Sequence, residues 1–390
     1  MNLFLQVIFW LSLGSILSSY ILYPLLVRFF AFFKKEKETK AIQDWPSIEV
    51  VFAAYNEESV LDTKIRSILA CDYPSDKLSI SIGSDNSSDA TNDILQAWQA
   101  KESRLKVKLF KERHGKSAII NHLTAQSKSE LLLLTDANII FDKDLLKTLV
   151  SRLNSDTQAA ACGAVIHYGA LPQKGISKQE NFYLSWENKL KAAESKLWSI
   201  VLGLEGGAYL IKANKFPEIP PLFFMEDFYV SLRLMEQDQK VLWEPKAKVY
   251  EDVSVSPQEE YKRKVRIGIG NYQNLKCFKG LLIKRFWPIG LAFFAHKILR
   301  WFTPFFLILL LFSSTQLTMY HWFYAIFSGL YMVFIGLGLF GILFAQRKGG
   351  AFLKYPGHFI YMNLALLEGF MTYIKGIKSN AWEPTARNQH

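Results

Sequence analysis

Residues 131–138, with the sequence LLLLTDAN, decide the fold that this chain is predicted to adopt. The four leucines are typical of a strand buried in a parallel sheet, and Asp136 follows at the carboxyl end of that strand. Open α/β sheets bind ligands at this edge. Asp136, with a second oxygen donor at Asn138, is suited to hold a hard divalent cation against a diphosphate. Taken alone, the pattern is equally consistent with Asp136 as an ordinary turn residue.

Three shorter strand-like runs precede this stretch, at residues 48–53, 78–82 and 105–109, and a helical pattern follows each of them. Strands that alternate with helices in this way predict βαβ units and a mostly parallel sheet, which is an α/β fold. The region contains no Gly-x-Gly-x-x-Gly sequence and no P-loop. This argues against a dinucleotide-dependent oxidoreductase and against a P-loop ATPase.

Polar residues follow each of the four strands. Residues 55–57, YNE, close the first strand, Asp85 closes the second, residues 113–116, RHGK, follow the third, and Asp136 ends the fourth. In a parallel sheet these four points lie on one edge. Carboxylates, a lysine and a glycine brought together there predict a nucleotide site.

The apolar residues are concentrated in three stretches without any charge, at residues 1–27, 301–320 and 322–345. Each is long enough to cross a bilayer core, which needs roughly 20 apolar residues as a helix. A basic cluster that begins at Arg28 follows the first stretch, with no small-residue cleavage site between them. We therefore interpret the first stretch as an uncleaved anchor and not as a signal peptide.

These stretches define the predicted domains. They are an N-terminal transmembrane anchor at 1–33, a cytosolic domain at 34–280, an interfacial helix at 281–300, two transmembrane helices at 301–346, and an interfacial or transmembrane helix with a cytosolic tail at 347–390. The basic residues beside the spans place the large domain in the cytoplasm and the N-terminus outside. The sequence thus predicts a multi-pass protein of the inner (plasma) membrane.

The net charge of +11 comes largely from basic residues beside the apolar segments. This distribution favours contact with anionic membrane lipids over binding of nucleic acid, since no interleaved aromatic and basic motif is present. The three cysteines are scattered along the chain and show neither a disulfide pattern nor zinc-site spacing.

Residues 47–275 resemble the inverting glycosyltransferases of family 2, which have a GT-A fold. The resemblance lies in AAYNE at 53–57, DNSSD at 85–89, RHGK at 113–116 and DAN at 136–138. The first departs from the family pattern because Ala53 replaces the usual proline, and the last because an amide replaces the second carboxylate of D-x-D.

The resemblance implies that these motifs bind a nucleotide-sugar with Mg or Mn. The residues implied in donor binding are Ala54, Tyr55, Glu57, Asp85, Lys116 and Asp136. The metal ligands implied are Asp136 and Asn138.

Two later motifs extend the resemblance to the acceptor and the catalytic base. The segment LEGGAY at 204–209 is similar to the glycine-bearing segment that lines the family's acceptor site, which implicates Gly206 and Gly207. FMED at 224–227 stands where the family has T-E-D, which implies that Glu226 faces the acceptor and that Asp227 is the base. The alternative for Asp227 is a helix N-cap.

Two further segments resemble the family more loosely. Arg263 and Arg266 occupy the place of the Q-x-x-R-W motif, which is absent in its strict form. They lie on one helical face and are predicted either to clamp the donor diphosphate or to rest on lipid headgroups. Trp382 and Arg387, in WEPTAR, resemble the gating loop of cellulose-synthase-like members, and the alternative is a disordered tail.

The predicted function is therefore a membrane-bound inverting glycosyltransferase. It is expected to move a sugar from a nucleotide-sugar, by resemblance a UDP-sugar, to a glycan or lipid-linked glycan in cell-surface or extracellular polysaccharide synthesis. Membrane lipids and export or assembly proteins are the expected partners. One alternative is transfer of a single sugar to polyprenyl phosphate, and another is an inactive, nucleotide-sensing membrane scaffold.

Overall fold

A computed structural model describes residues 2–35, 42–168, 178–251, 257–343 and 354–377 of the chain. The chain divides into two compact units. The sheet unit comprises Arg28–Ser256 with Ile377–His390, and the helical unit comprises Met1–Val27 with Pro257–Gly376.

The sheet unit is built on eight strands. They are β1 Ile48–Ala54, β2 Leu78–Asp85, β3 Leu105–Phe110, β4 Leu131–Thr135, β5 Ile140–Phe141, β6 Ala159–Tyr168, β7 Ala208–Lys212 and β8 Lys240–Glu251. Their order in the sheet is β3-β2-β1-β4-β7-β6-β8-β5. Strands β1 to β4 are parallel, whereas β7 runs antiparallel to both β4 and β6. The sheet is therefore parallel in its first half and mixed in its second.

The described helices are numbered in chain order. They are α1 Asn2–Leu17, α2 Tyr23–Phe33, α3 Leu61–Leu69, α4 Thr91–Lys101, α5 Lys116–Ala125, α6 Leu145–Leu153, α7 Lys178–Trp198, α8 Glu226–Glu236, α9 Pro257–Phe278, α10 Leu281–Lys284, α11 Leu299–Trp301, α12 Thr303–Leu317, α13 Trp322–Leu343 and α14 Lys354–Lys375. A π-helical turn, Ser18–Leu22, joins α1 to α2, and two more, Phe286–Gly290 and Phe293–Ile298, precede α11.

The core of the sheet unit forms where amphipathic helices cover the apolar sheet. Strands β1 and β4 are buried along their whole length, as expected for strands covered on both faces. Helix α3 buries Leu61, Ile65 and Ile68, which are spaced four and three residues apart and so share one face. This packing fixes the carboxyl ends of β1, β2 and β4, where the predicted site residues lie.

Two of the described helical segments are long and apolar enough to cross a membrane, Asn2–Phe33 and Trp322–Leu343. A third crossing is available if Phe286–Trp301 and Thr303–Leu317, which meet at a 64° bend, form one span. The predicted span 301–320 falls in this bent pair.

Helix α9 belongs to the helical unit, although the sequence placed residues 257–278 in the cytosolic domain. Its packing against α14 explains the difference. A Cβ added to Gly369 would lie 2.7 Å from the carbonyl oxygen of Val265, so glycine permits close approach of the two backbones. The Tyr261 hydroxyl also donates a 2.7 Å hydrogen bond to Glu368.

Candidate active site

The loops after β1 and β2 are joined into one surface by side-chain hydrogen bonds. The Asn56 side-chain oxygen accepts a 2.8 Å bond from the Ser88 amide, and Ser87 Oγ accepts a 3.2 Å bond from the Asn56 amide. The Glu57 amide donates to Thr91 Oγ1 at 2.9 Å. These bonds bring the motifs at 53–57 and 85–89, both predicted to bind the donor, side by side.

Asp85 ends β2 and holds the turn that follows β3. Its fully buried carboxylate accepts hydrogen bonds from the amides of His114, at 2.7 Å, and Gly115, at 3.1 Å. Arg113 Nε donates a third bond at 3.1 Å, and its guanidinium lies 3.4 Å from the ring centre of Tyr55. Gly115 has a φ of 82°, which glycine adopts without strain. Asp85 thus positions the residue that starts α5, Lys116.

Lys116 links the end of β4 to the start of α8. Its ammonium lies 2.5 Å from Asp136 Oδ1 and forms a second ion pair with Glu226. Burial by itself lowers the pKa of Lys116, but the two carboxylates outweigh this and raise it above its usual value. The lysine therefore stays charged between the predicted donor carboxylate and the predicted acceptor carboxylate.

Asp227 lies next to Glu226 in the first turn of α8. Met225 occupies the N-cap position, so the N-cap alternative for Asp227 is wrong. Burial, followed by the negative charge of Glu226, raises the pKa of Asp227 to about 7, while Lys116 and a hydrogen bond from the Phe228 amide oppose the rise. A carboxylate that titrates near neutral pH is suited to accept a proton in catalysis.

The glycine segment before β7 lies against Asp136. A Cβ on Gly206 would approach Asp136 Oδ2 to 3.1 Å, and one on Gly207 would approach Ile166 to 2.5 Å. The Gly207 carbonyl also accepts a 2.6 Å hydrogen bond from Thr135 Oγ1. The structure therefore brings the glycine segment, Asp136, Lys116 and the Glu226–Asp227 pair together at one sheet edge.

Comparison with known proteins identifies this arrangement. Residues 49–209 match the model of glycosyl transferase family 2. The chain carries a family 2 glycosyltransferase domain. Its α/β sheet has the predicted GT-A fold, so the fold prediction and the family prediction are both confirmed.

Three known proteins illustrate the similarity. Over 118 residues the chain is 32% identical to the beta-monoglucosyldiacylglycerol synthase of Synechocystis sp., covering 30% of this chain and 25% of that protein. Over 252 residues it is 24% identical to the poly-beta-1,6-N-acetyl-D-glucosamine synthase of Staphylococcus epidermidis, covering 63% and 58%. The chain thus spans less than two thirds of either relative.

The third is a solved structure, the mannosyltransferase PcManGT of Pyrobaculum calidifontis in complex with GDP-Man and Mn²⁺. It superposes with a TM-score of 0.66 at 18% identity, covering 96% of this chain and 98% of that one. At this identity the likeness concerns the fold.

The two metal ligands predicted for the family 2 domain, Asp136 and Asn138, differ in their exposure. The Asp136 side chain is 39% exposed, and Asn138 is buried with its Nδ2 donating a 3.3 Å bond to Glu251. The described residues contain no group of three or more metal-ligating His, Cys, Asp or Glu side chains. Asp136 still fits a magnesium-type site, because such ions are held by one or two carboxylates and the substrate phosphates.

The other predicted donor residues of the domain are less directly placed. Ala54 is fully buried, and its contact with a donor stays a prediction. Arg263 lies on α9 in the helical unit, 3.6 Å from Glu260, and Arg266 is one turn further along the same helix. Their contact with a diphosphate stays a prediction. Trp382 and Arg387 lie outside the described residues.

Two buried lysines of the family 2 domain were not among the predicted site residues. Lys64 on α3 is fully buried and donates to the Ile139 carbonyl at 2.6 Å and to Thr135 Oγ1 at 3.0 Å, on either side of Asp136. Lys191 on α7 pairs with Glu205 at 2.6 Å. The spacing of Lys64, which shares the apolar face of α3, was a signal in the sequence that it points inward.

Asn121 fixes the segment that leads to α8, and its loss is expected to destabilise the domain. Its side chain donates to the Ile219 carbonyl at 2.8 Å and accepts from the Ile219 amide at 3.0 Å. Asn121→Ala leaves both backbone groups unpaired, so we expect a loss of about 1–3 kcal/mol. Thermal unfolding of the purified chain measures this loss, with exposed Gln126→Ala as the control. Equal melting temperatures for the two variants would contradict the role given to Asn121.

Proposed function

We propose that this chain is a membrane-bound inverting glycosyltransferase that moves a sugar from a nucleotide-sugar to a glycan or lipid-linked acceptor. The observation that carries the proposal is the juxtaposition of Asp136 and Asp227 across Lys116 and Glu226. One carboxylate lies at the edge where an α/β sheet binds a diphosphate, and the other has the basicity that deprotonation of a hydroxyl requires.

In the proposed reaction Asp227 takes the proton of an acceptor hydroxyl. The acceptor oxygen then forms a bond to the anomeric carbon of the donor from the face opposite the nucleotide. The bond between that carbon and the diphosphate breaks, and the diphosphate leaves with the electron pair. A single carboxylate is sufficient for this displacement, which inverts the configuration of the anomeric carbon.

Lys116, together with a metal ion held by Asp136, is proposed to offset the negative charge of the diphosphate. When bound, Mg or Mn supplies positive charge against the leaving group, with Asp136 as its protein ligand. Lys116 carries its own positive charge into the same site, held between Asp136 and Glu226. Because Lys116 also lowers the pKa of Asp227, movement of Lys116 toward a diphosphate makes Asp227 a stronger base.

The known proteins bear on the donor and the metal. The solved mannosyltransferase is in complex with GDP-Man and Mn²⁺, which supports a nucleotide-sugar and a divalent cation here. The assignment of a UDP-sugar rests on the sequence motifs. Mg and Mn are equally compatible with a single carboxylate at Asp136.

The known proteins bear on the acceptor as well. The named products of the relatives are a glucosyldiacylglycerol and a poly-N-acetylglucosamine, which supports an acceptor that is a glycolipid or a growing glycan in polysaccharide synthesis. The candidate spans and the basic residues after the first of them support an inner-membrane location with the sheet unit in the cytoplasm. Transfer of one sugar to polyprenyl phosphate remains the alternative within the same class.

A donor screen tests the proposal. Membranes that contain the full chain are incubated with radiolabelled UDP- and GDP-sugars in the presence of Mn, and transfer and hydrolysis are followed. We expect at least one donor to be consumed. A product in the polymer or glycan fraction supports the proposed acceptor, whereas a single sugar on polyprenyl phosphate supports the alternative. If nucleotides bind but no donor is consumed, the chain is a nucleotide-sensing scaffold and the proposal is wrong.

Removal of divalent cations is expected to abolish transfer. EDTA treatment should lower the rate by at least about 100-fold, since the cation offsets the leaving-group charge by several kcal/mol. Addition of Mn or Mg should restore it. The rate is measured on one preparation before chelation, after chelation and after restoration. Full activity in EDTA would contradict Asp136 as a metal ligand.

The rate of transfer is expected to rise with pH through neutrality. Asp227 has to be ionised to accept a proton, and its pKa is about 7, so the active form accumulates as the pH rises past 7. We expect kcat/KM to fall about tenfold for each pH unit below about 6. The profile is measured between pH 5 and 8.5, with melting temperatures recorded at each pH. A flat profile would contradict Asp227 as the base.

A further inference from the structure

The sheet unit contains a second cleft, of about 740 Å³, between the end of α2, strand β6 and helix α7. Lys34, just after α2, donates a hydrogen bond to the Leu197 carbonyl and so ties α2 to the end of α7. Trp243, which is buried, lies in the wall of the cleft. Of the predicted donor, metal and acceptor residues that the structure describes, none lines it.

The charged side chains of the cleft are basic. Arg28, Lys189 and Lys196 line it together with His167, and no acidic side chain of the described residues does so. Arg28 lies 4.8 Å from the ring centre of Trp186. Within the described ranges, none of these three cations forms an ion pair. Burial, and then the charge of Lys248, lowers the pKa of His167, so the imidazole is neutral at pH 7 and the cleft carries three positive charges.

The cleft also has an apolar side at the end of a candidate membrane span. Phe32 lines it and is 81% exposed, and Phe33 beside it is 68% exposed. Both belong to the last turn of the apolar segment Asn2–Phe33. Exposed aromatic rings at the end of a span are typical of the membrane–water interface. A ligand that contacts both the basic side chains and the apolar side of the cleft is amphiphilic, with a negative head and an apolar body.

We propose that this cleft binds the phosphate headgroup of an anionic membrane phospholipid. Arg28, Lys189 and Lys196 pair with the headgroup, and the apolar part of the lipid lies along Phe32. Two features argue for a lipid and against a soluble phosphate compound: the exposed aromatic rings and the position at the end of a span. Each basic residue near an anionic lipid surface is expected to strengthen binding about fivefold.

The cleft shares helix α7 with the candidate active site. Lys191, two residues after Lys189 on α7, lies 4.7 Å from the ring centre of Trp243 and pairs with Glu205 beside the glycine segment. Trp243 is thus in contact with both the cleft and the lysine that holds the acceptor segment.

Native mass spectrometry of the full chain in a neutral detergent tests the proposal. Phosphatidylglycerol, phosphatidylcholine and inorganic phosphate are titrated separately. We expect one phosphatidylglycerol molecule to bind more tightly than any further one, and more tightly than phosphatidylcholine. Lys189→Gln with Lys196→Gln should weaken that first binding about 25-fold. The control, Lys106→Gln with Lys108→Gln, removes the same charge from exposed positions of β3 and should leave it unchanged.

A variant that keeps all charges distinguishes binding of the lipid in the cleft from general electrostatic attraction of the lipid to the protein. Ala192→Phe places a large side chain in the cleft and keeps all its cations, so it should also abolish the first binding event, with the melting temperature as a check of folding. Equal binding of phosphatidylglycerol by the wild type and both variants would overturn the proposal. Equal affinity for phosphatidylcholine, or displacement by millimolar inorganic phosphate, would overturn it as well. The readout is lipid binding, so it is independent of whether the chain transfers sugar.

Discussion

Asp227→Asn is expected to lower the rate of sugar transfer by about 10²–10⁴-fold, the usual contribution of a general base. Asparagine has nearly the same shape as aspartate. Its side-chain oxygen can still accept the hydrogen bond that the Phe228 amide donates to Asp227 Oδ1 at 2.7 Å. It cannot accept a proton at neutral pH. Donor affinity should change little, since Lys116 and Asp136 are intact. The measurement compares kcat and nucleotide affinity of this variant with those of Asp93→Asn, an exposed carboxylate on α4.

The same substitution is expected to stabilise the protein above neutral pH. The folded-state pKa of Asp227 is about 7 and its ordinary value is 3.8, so ionisation inside the fold destabilises it as the pH rises from about 4 to 7. Asparagine removes this penalty, which amounts to no more than about 4 kcal/mol. Thermal unfolding at pH 5 and pH 8 should show a larger gain for Asp227→Asn at pH 8. A lower melting temperature at pH 8 would mean that Asp227 has a structural role.

Asp85→Ala is expected to disrupt the donor side of the site. The carboxylate is fully buried and accepts from the amides of His114 and Gly115 and from Arg113. Its removal takes the acceptor from these two amides and breaks the ion pair with the partly exposed Arg113, so we expect the protein to lose about 1–3 kcal/mol of stability. The turn that places Lys116 also loses its support, so we expect nucleotide affinity to fall at least about tenfold, as for loss of one charge-assisted contact.

Titration calorimetry with UDP and with GDP, together with thermal unfolding, measures both effects of Asp85→Ala. Asp85→Asn is the informative partner, because it keeps one acceptor and should lie between the wild type and Asp85→Ala in both measurements. Asp93→Ala removes an exposed carboxylate and controls for the change in net charge. If Asp85→Ala weakens nucleotide binding without a loss of stability, Asp85 contacts the nucleotide itself and is not a support for the turn.

The first half of the fold was predictable because β1 and β4 are buried along their length and β3 alternates with exposed residues in the period of a strand. The apolar runs at 48–53, 78–82 and 105–109 correspond to β1, β2 and β3, and each strand extends one to three residues further. Burial on both faces leaves a continuous apolar signal that needs no knowledge of the partners. The same signal was present in β4.

The second half of the sheet was not predictable in the same way. Strand β7 lies antiparallel between β4 and β6, and β8 returns beside β6 in parallel. The order and direction of these strands depend on contacts between residues far apart in the chain. The local hydrophobic pattern of these strands does not determine their order or direction.

The candidate site was also predictable only in part from the sequence. The position of Asp136 at the end of β4 followed from the apolar run before it. The ion pair between Lys116 and Glu226 joins residues 110 positions apart and was not foreseen. Contact of Asp85 with the nucleotide stays a prediction. The hydrogen bonds that its buried carboxylate accepts from the turn at 113–115 were not foreseen, because they join residues about 30 positions apart.

The anomeric configuration of the product tests the proposed mechanism most directly. A donor of known configuration, selected by the donor screen, is converted by the wild-type chain, and the new linkage is examined by proton NMR. Attack by an acceptor activated by Asp227 alone predicts the opposite configuration to that of the donor. A product that retains the donor's configuration would contradict the single-base mechanism and the role of Asp227.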